Sequence, residues 1–261
     1  MRSLSIGATG MLAQQTNVEV ISNNIANMNT TAYAKRRAEF NDLLYQNIRR
    51  PGAQSSDTGT IVPAGIQLGL GVKTASVYRI TTQGSLSSTD NTLDVAVQGK
   101  GYFQVTLPSG ETAYTRDGSF QLSSTGELVT NDGYTVQPGI TIPTDATTVT
   151  INASGEVLVK LDGQTAEQNV GQLQLATFAN EAGLSAVGNN LLMETAASGA
   201  PVVSTPSQPG FGSLLQGYLE TSNVDVVSEI TELISAQRAY EMNSKVIQTS
   251  DEMMSQVNQI K

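Results

Sequence analysis

The side chains best equipped for chemistry in this sequence are three aspartates, Asp90, Asp94 and Asp117. Two such carboxylates close in space could supply the acid and base of glycoside hydrolysis, or hard oxygen ligands for calcium. Their setting argues against both, because each lies in a Ser/Thr/Gly-rich stretch where Asp ordinarily closes a turn. The sequence contains no His and no Cys, so the commonest general base, the thiol nucleophile and the usual transition-metal ligands are missing. No GxSxG elbow, GxxxxGK[ST] phosphate loop or EF-hand spacing occurs. Gly69-Leu70-Gly71 and Gly99-Lys100-Gly101 are isolated GxG pairs and read as turns. No catalytic, cofactor or metal site is expected. What remains for this chain to do is associate.

The elements that would carry association lie at the two ends. Leu4, Met11, Val18, Ile21, Ile25 and Met28 follow the 3-4 spacing of a heptad seam, and Val226, Ile230, Leu233, Tyr240, Ile247 and Met254 repeat it. The first helix is about 37 Å long at ~1.5 Å per residue. Its other faces are rich in amides (Gln15, Asn17, Asn23, Asn24, Asn27), which suits a helix packed among helices better than one facing water. Asn223 or Asp225 can cap the second helix, with Glu229 and Glu232 favourably placed in its first turns.

Between them the pattern is β. LDVAV (93–97), YFQVTL (102–107), AYTR (113–116), SFQL (119–122), ELVT (127–130), TVTI (148–151), EVLVK (156–160) and GQLQLATF (171–178) are short and β-prone. Turn signals such as Asp117-Gly118, Asp132-Gly133 and Asp162-Gly163 separate them. Residues 196–213 read as irregular. The expected fold is α+β: residues 1–30 and 225–261 pair as a coiled-coil assembly domain, 31–80 form an extended linker with a long loop, and 81–224 form an antiparallel β domain, sandwich- or barrel-like.

The net charge of −9 is uneven. Residues 31–80 carry seven basic groups and three acids, whereas 81–224 carry three and thirteen. Lys35, Arg36, Arg37, Arg49 and Arg50 are therefore expected to meet acids elsewhere, with Glu229, Glu232 and Glu241 as candidates. So acidic a chain is a poor nucleic-acid ligand. No segment reaches the ~18 apolar residues of a membrane helix, and MRSLSIGATGMLA makes a poor cleavable signal peptide.

Three blocks carry a family resemblance. ISNNIANMNTTAYAKRRAEF (21–40) resembles the ANxNTxGF signature of the bacterial flagellar rod and hook proteins, and VQGKGYFQV (97–105) with YTRDGSFQLSSTGELVTNDGY (114–134) resembles their shared β core. QGYLETSNVDVVSEITELISAQRAYEMNSKVI (216–247) resembles their C-terminal helix. Within the family, the segment 43–72 is similar to that of distal rod subunits, and hook or proximal rod relatives are the nearest alternatives. The resemblance implies a non-enzymatic subunit of the flagellar basal body, in the rod that spans the periplasm, exported without a cleaved signal. It implies copies of itself, proximal rod and hook proteins, surrounding ring proteins and the export apparatus as partners. Tyr45, Gln46, Arg49, Arg50, Pro51, Gln54, Ser55 and Ser56 of the insert become expected axial contacts. The signature's Gly is Ala32 here, which is strained if that position takes a positive φ. From a different class, a secreted adhesive or carbohydrate-active β protein is the competing reading.

Overall fold

In a computed structural model, which describes residues 2–51, 64–163 and 166–259, the chain divides into two compact units. The first gathers Met1–Ala26, Arg36–Arg79 and Asp225–Lys261, and the second holds Asn27–Lys35 and Ile80–Val224.

Helix α1 of the first unit spans Arg2–Ala26 and helix α2 spans Val226–Gln259. Neither contains proline. Asp225 caps α2: its Oδ1 accepts from the Val227 amide at 3.1 Å and its carbonyl from the Glu229 amide at 3.0 Å. A cap of this kind contributes about 1 kcal/mol. Asn223, the other candidate, works in the second unit. Its Oδ1 accepts from the Lys35 amide at 2.7 Å, and its Nδ2 donates to the carbonyls of Ile80 and Thr82 at 2.9 Å each.

The span expected as an extended linker is more structured than that. It holds strands β1 (Arg36–Asp42), β2 (Tyr45–Arg49), β3 (Ile66–Gly69) and β4 (Val72–Arg79). β1 pairs antiparallel with β4 from Arg36↔Arg79 to Asp42↔Val72, and β2 with β3 from Tyr45↔Gly69. The β1–β4 pair packs on α1. Gly71, at φ +121°, makes that approach possible, since a Cβ there would overlap the Thr9 hydroxyl.

The second unit is antiparallel β. Seven strands run in the order Ser185–Gly188, Leu191–Met193, Thr112–Thr115, Tyr102–Thr106, Thr135–Val136, Leu128–Thr130, Phe120–Leu122. Leu175–Thr177 also borders Tyr102–Thr106 and bears Val202–Ser204 on its outer edge. Among the described residues the two ends of this path do not pair, so no barrel closes. The GQLQLATF segment, read as one strand, divides: Gln168–Gln172 joins the three-stranded sheet with Ala146–Ile151 and Glu156–Leu161, and Leu175–Thr177 joins the large one. Phe103, Phe120, Leu128, Leu173, Leu175 and a set of valines are fully buried between these sheets. Phe103 and Phe120 meet edge to face with centroids 5.0 Å apart.

Arg116 organises the turn at Gly99-Lys100-Gly101. Its guanidinium bonds the carbonyls of Val97, Gly99 and Gly101, and its Nε reaches the buried Glu220 carboxylate at 2.8 Å. Gly99 and Gly101 take φ +107° and +141°, so this GxG pair is a turn tied down by arginine.

Ala32 occupies the left-handed region at φ 55°, with its amide donating to the Glu220 carbonyl at 2.8 Å. An L-residue pays about 1–2 kcal/mol for that conformation. Glycine removes the strain but adds freedom to the unfolded chain. Ala32→Gly is therefore expected to raise the free energy of unfolding by about 0.5–1 kcal/mol, read from the denaturant midpoint of the β-rich unit.

Candidate functional site

Two of the three aspartates, Asp94 and Asp117, tie turns down. Asp94, 6% exposed, accepts from Thr89 Oγ1 at 2.7 Å and Asn91 Nδ2 at 2.9 Å. Asp117 accepts from the Ser119 amide and hydroxyl and from Asn190 Nδ2. Asp90 is exposed. The carboxylate oxygens of Asp94 and Asp117 thus accept from backbone and side-chain donors, the ordinary work of Asp in turns.

The candidate surface lies in the first unit, where α1 and α2 pack against each other and run antiparallel. Three points fix the alignment. A Cβ on Gly7 would lie 2.9 Å from Ile247 Cγ1, and one on Gly10 would lie 2.9 Å from Asn243 Nδ2. At the other end, Asn24 Nδ2 donates to Glu229 Oε2 at 3.0 Å. The two glycines, rather than large side chains, set how closely the helices approach there.

The seam residues are sorted by this geometry. Ile21 is buried at 2% exposure, and Leu4, Met11, Val18 and Ile25 are half-buried. Met28 lies beyond the end of α1, in the turn that belongs to the other unit, and is exposed. On α2, Val226, Leu233, Ile247 and Met254 are half-buried, whereas Ile230 and Tyr240 are exposed at 45% and 44%. The most buried residues of α2 belong to another heptad row: Glu229, Ala236 and Ser250 are each 3% exposed, with Asn243 half-buried between them. A hydropathy pattern passes over that row because its members are small or polar. Their seven-residue spacing was the signal available.

Away from α1, α2 keeps a second apolar set uncovered: Val227, Ile230, Ile234, Met242, Val246 and Met253 are all exposed. A groove of about 340 Å³ is lined by Gln15, Val18 and Glu19 of α1 and Gln237, Tyr240 and Glu241 of α2.

The insert residues occupy the β2–β3 hairpin and its continuation. Tyr45, Gln46 and Arg49 lie on β2 and are exposed, as are Arg50 and Pro51 after it; Gln54, Ser55 and Ser56 fall outside the described residues. Leu44, Ile48, Ile66, Leu68 and Leu70 are exposed beside them. The Tyr45 hydroxyl titrates above its ordinary range because it donates to the Asp42 carboxylate, whose charge adds to the effect.

The basic groups are partly matched at home. Arg37 pairs with Glu39 at 3.0 Å on its own strand and also meets the Tyr78 hydroxyl. Tyr78 donates to Glu39 at 2.9 Å, and these two hydrogen bonds, that from Tyr78 foremost, hold the Glu39 carboxyl below its usual range. Of the three acids expected to meet the basic segment, Glu229 is buried and accepts from Asn24, and Glu232 and Glu241 are exposed.

Comparison with known proteins bears on what such a surface is for. Residues 4–33 match the flagella basal body rod protein family, 96–159 the flagellar hook protein FlgE/F/G D1 domain, and 215–260 the flagellar basal body rod FlgEFG protein C-terminal family. Over its whole length the chain is 63% identical to the flagellar basal-body rod protein FlgG of Caulobacter vibrioides, covering 100% of both. It is 55% identical to that of Agrobacterium fabrum, over 99% of this chain and 98% of the relative, and 47% identical to that of Borreliella burgdorferi, over 100% and 99%. The chain belongs to the FlgG family of flagellar basal-body rod proteins. The three matched regions coincide with α1 and its following turn, the core of the β unit, and α2. FlgG relatives also align through 34–95, the stretch holding the β2–β3 hairpin, which none of the three family models covers. Among the described residues no helix is long and apolar enough to cross a membrane.

Proposed function

We propose that this chain polymerises into a rigid helical tube that carries torque from motor to hook. As a FlgG-family protein it is a structural subunit of the flagellar basal-body rod, in its distal part. What supports the tube is the set of apolar side chains that α2 leaves exposed on either flank of its contact with α1. At ~1.5–3 kcal/mol per fully buried side chain, covering these half-exposed groups is worth on the order of 5–10 kcal/mol before entropy. Contacts of this kind join unlike surfaces, so a rotation that does not close builds an open helix.

In this reading the terminal helices form a coiled-coil seam lining the tube, residues 81–224 form a sandwich-like outer domain, and neighbours fill the groove around Tyr240. The seam is Leu4, Met11, Val18, Ile21 and Ile25 against Val226, Leu233, Ile247 and Met254, with Ile230, Tyr240 and Met28 facing neighbouring copies. The hairpin and insert (Tyr45 to Ser56) reach along the axis. Rod proteins nearer the motor, the hook and the surrounding rings are the further partners, and the chain reaches them through the flagellar type III export apparatus. The role is structural, with no enzymatic step and no cofactor.

Salt provides a test. Arg49 and Arg50 against acids such as Glu232 and Glu241 of a neighbour constitute the electrostatic part of the contact. Raising ionic strength from about 0.1 M to 1 M shortens the Debye length from ~10 Å to ~3 Å. Isolated rods are expected to shed subunits faster as salt rises, measured by sedimentation. Dissociation indifferent to salt removes charge matching from the interface. A purified chain that never polymerises but cleaves or binds polysaccharide would favour the adhesive or carbohydrate-active alternative.

A further inference from the structure

The apolar seam alone does not determine how α1 and α2 line up. Leu4, Met11, Val18 and Ile25 recur every seven residues, and so do Val226, Leu233, Tyr240, Ile247 and Met254. Sliding one helix by a heptad sets apolar rows against apolar rows again, at little cost in buried area. Something else must select the observed alignment.

We propose that the Asn24–Glu229 pair is the register key of the terminal helices. Asn24 is 1% exposed and Glu229 is 3% exposed. Asn24 Nδ2 donates to Glu229 Oε2 at 3.0 Å and to the Arg36 carbonyl at 2.8 Å, while its Oδ1 accepts from the Arg36 amide at 2.9 Å. One side chain thus ties α1 to α2, 205 positions away in sequence, and to the first residue of β1. The amide is specific for this work: it must donate towards the carboxylate and the carbonyl and accept from the N–H, which neither Asp nor Leu can do. One heptad along α2 from Glu229 stands Ala236, whose side chain offers Asn24 no acceptor, so the slip breaks the buried Asn24–Glu229 hydrogen bond. A buried polar pair that fixes register is the best-attested use of such groups. The inference rests on the intrachain packing of α1 on α2 and does not depend on how copies pack in the rod.

The chain lacks Cys, so introduced thiols report alignment directly. Gly10→Cys with Asn243→Cys reads the observed register. Gly10→Cys with either Ser250→Cys or Ala236→Cys reads a slip of one heptad either way, with Asn243→Ala added to clear the same space. In the purified full chain, with Asn24 and Glu229 intact, the first pair is expected to form its intrachain disulfide at least about tenfold faster than the slipped pairs, because slippage breaks the buried Asn24–Glu229 hydrogen bond. With Asn24→Leu plus Glu229→Leu, that preference is expected to collapse to about twofold or less, while circular dichroism still reports the helices. Asn24→Asp, which sets a second carboxylate against Glu229, is expected to abolish the preference without changing side-chain volume. An unchanged preference in either background overturns the proposal. So does loss of the helices in both, since the pair would then be holding them up rather than aligning them.

Discussion

Ile230→Asp leaves the isolated chain nearly as stable as the parent and abolishes rod formation and swimming. Ile230 is 45% exposed in the single chain, on the side of α2 that α1 does not cover. A charge there meets water, and surface substitutions of this kind shift stability by about 0.5 kcal/mol. In the proposed tube the same position is enclosed by a neighbour, where an unpaired carboxylate costs several kcal/mol per copy. Repetition along the polymer makes that penalty decisive. Ile21→Asp is the contrasting variant. Ile21 is 2% exposed within one chain, so its replacement should destabilise the α1–α2 pairing itself by about 3–5 kcal/mol. Thermal unfolding of the two variants, beside counts of rods and soft-agar motility, separates the cases. Normal motility from Ile230→Asp would refute the inner-tube arrangement.

Deleting residues 46–63 yields rods that assemble but bend. The deletion removes most of β2 and the insert, yet spares the neck beneath them, where the Leu43 amide donates to the Gly71 carbonyl at 2.8 Å and the Leu70 amide to the Leu44 carbonyl at 3.2 Å. β1 and β4 keep their whole register. The first unit therefore has no reason to unfold. What is lost is the β2–β3 pairing, and with it Ile48; the hairpin's other apolar side chains, Tyr45, Ile66 and Leu68, remain, and all four are exposed in the parent. Two strands with no covered face are marginal by themselves, which suits a hairpin that finds its support on another subunit. Without it, stacked subunits lose contacts along the axis, so the polymer resists bending less and curves as a hook does. Electron microscopy of rods from the deletion strain measures the curvature. Straight rods of parental stiffness would reduce the insert to a tolerated surface loop.

The amphipathic ends, the β-rich middle and the lack of His and Cys were legible in the sequence because each follows from local composition or short-range periodicity. Leu4 to Ile25 announce a helix whatever they pack against, and Asp117-Gly118 announces a turn. The family blocks at 21–40, 97–105 with 114–134, and 216–247 were legible for the same reason. Which face of α2 meets α1 was not. Val226 and Leu233 marked one row, but the deepest positions, Glu229, Ala236 and Ser250, are polar or small and acquire meaning only beside Gly7, Gly10 and Asn24. The division of 171–178 between two sheets, and the pairing of 36–49 with 66–79, likewise depend on partners distant in the chain. Hydropathy fixes where a segment wants to be buried. Hydrogen-bond complementarity and close approach between remote segments decide against what, and those exist only once the tertiary structure has formed.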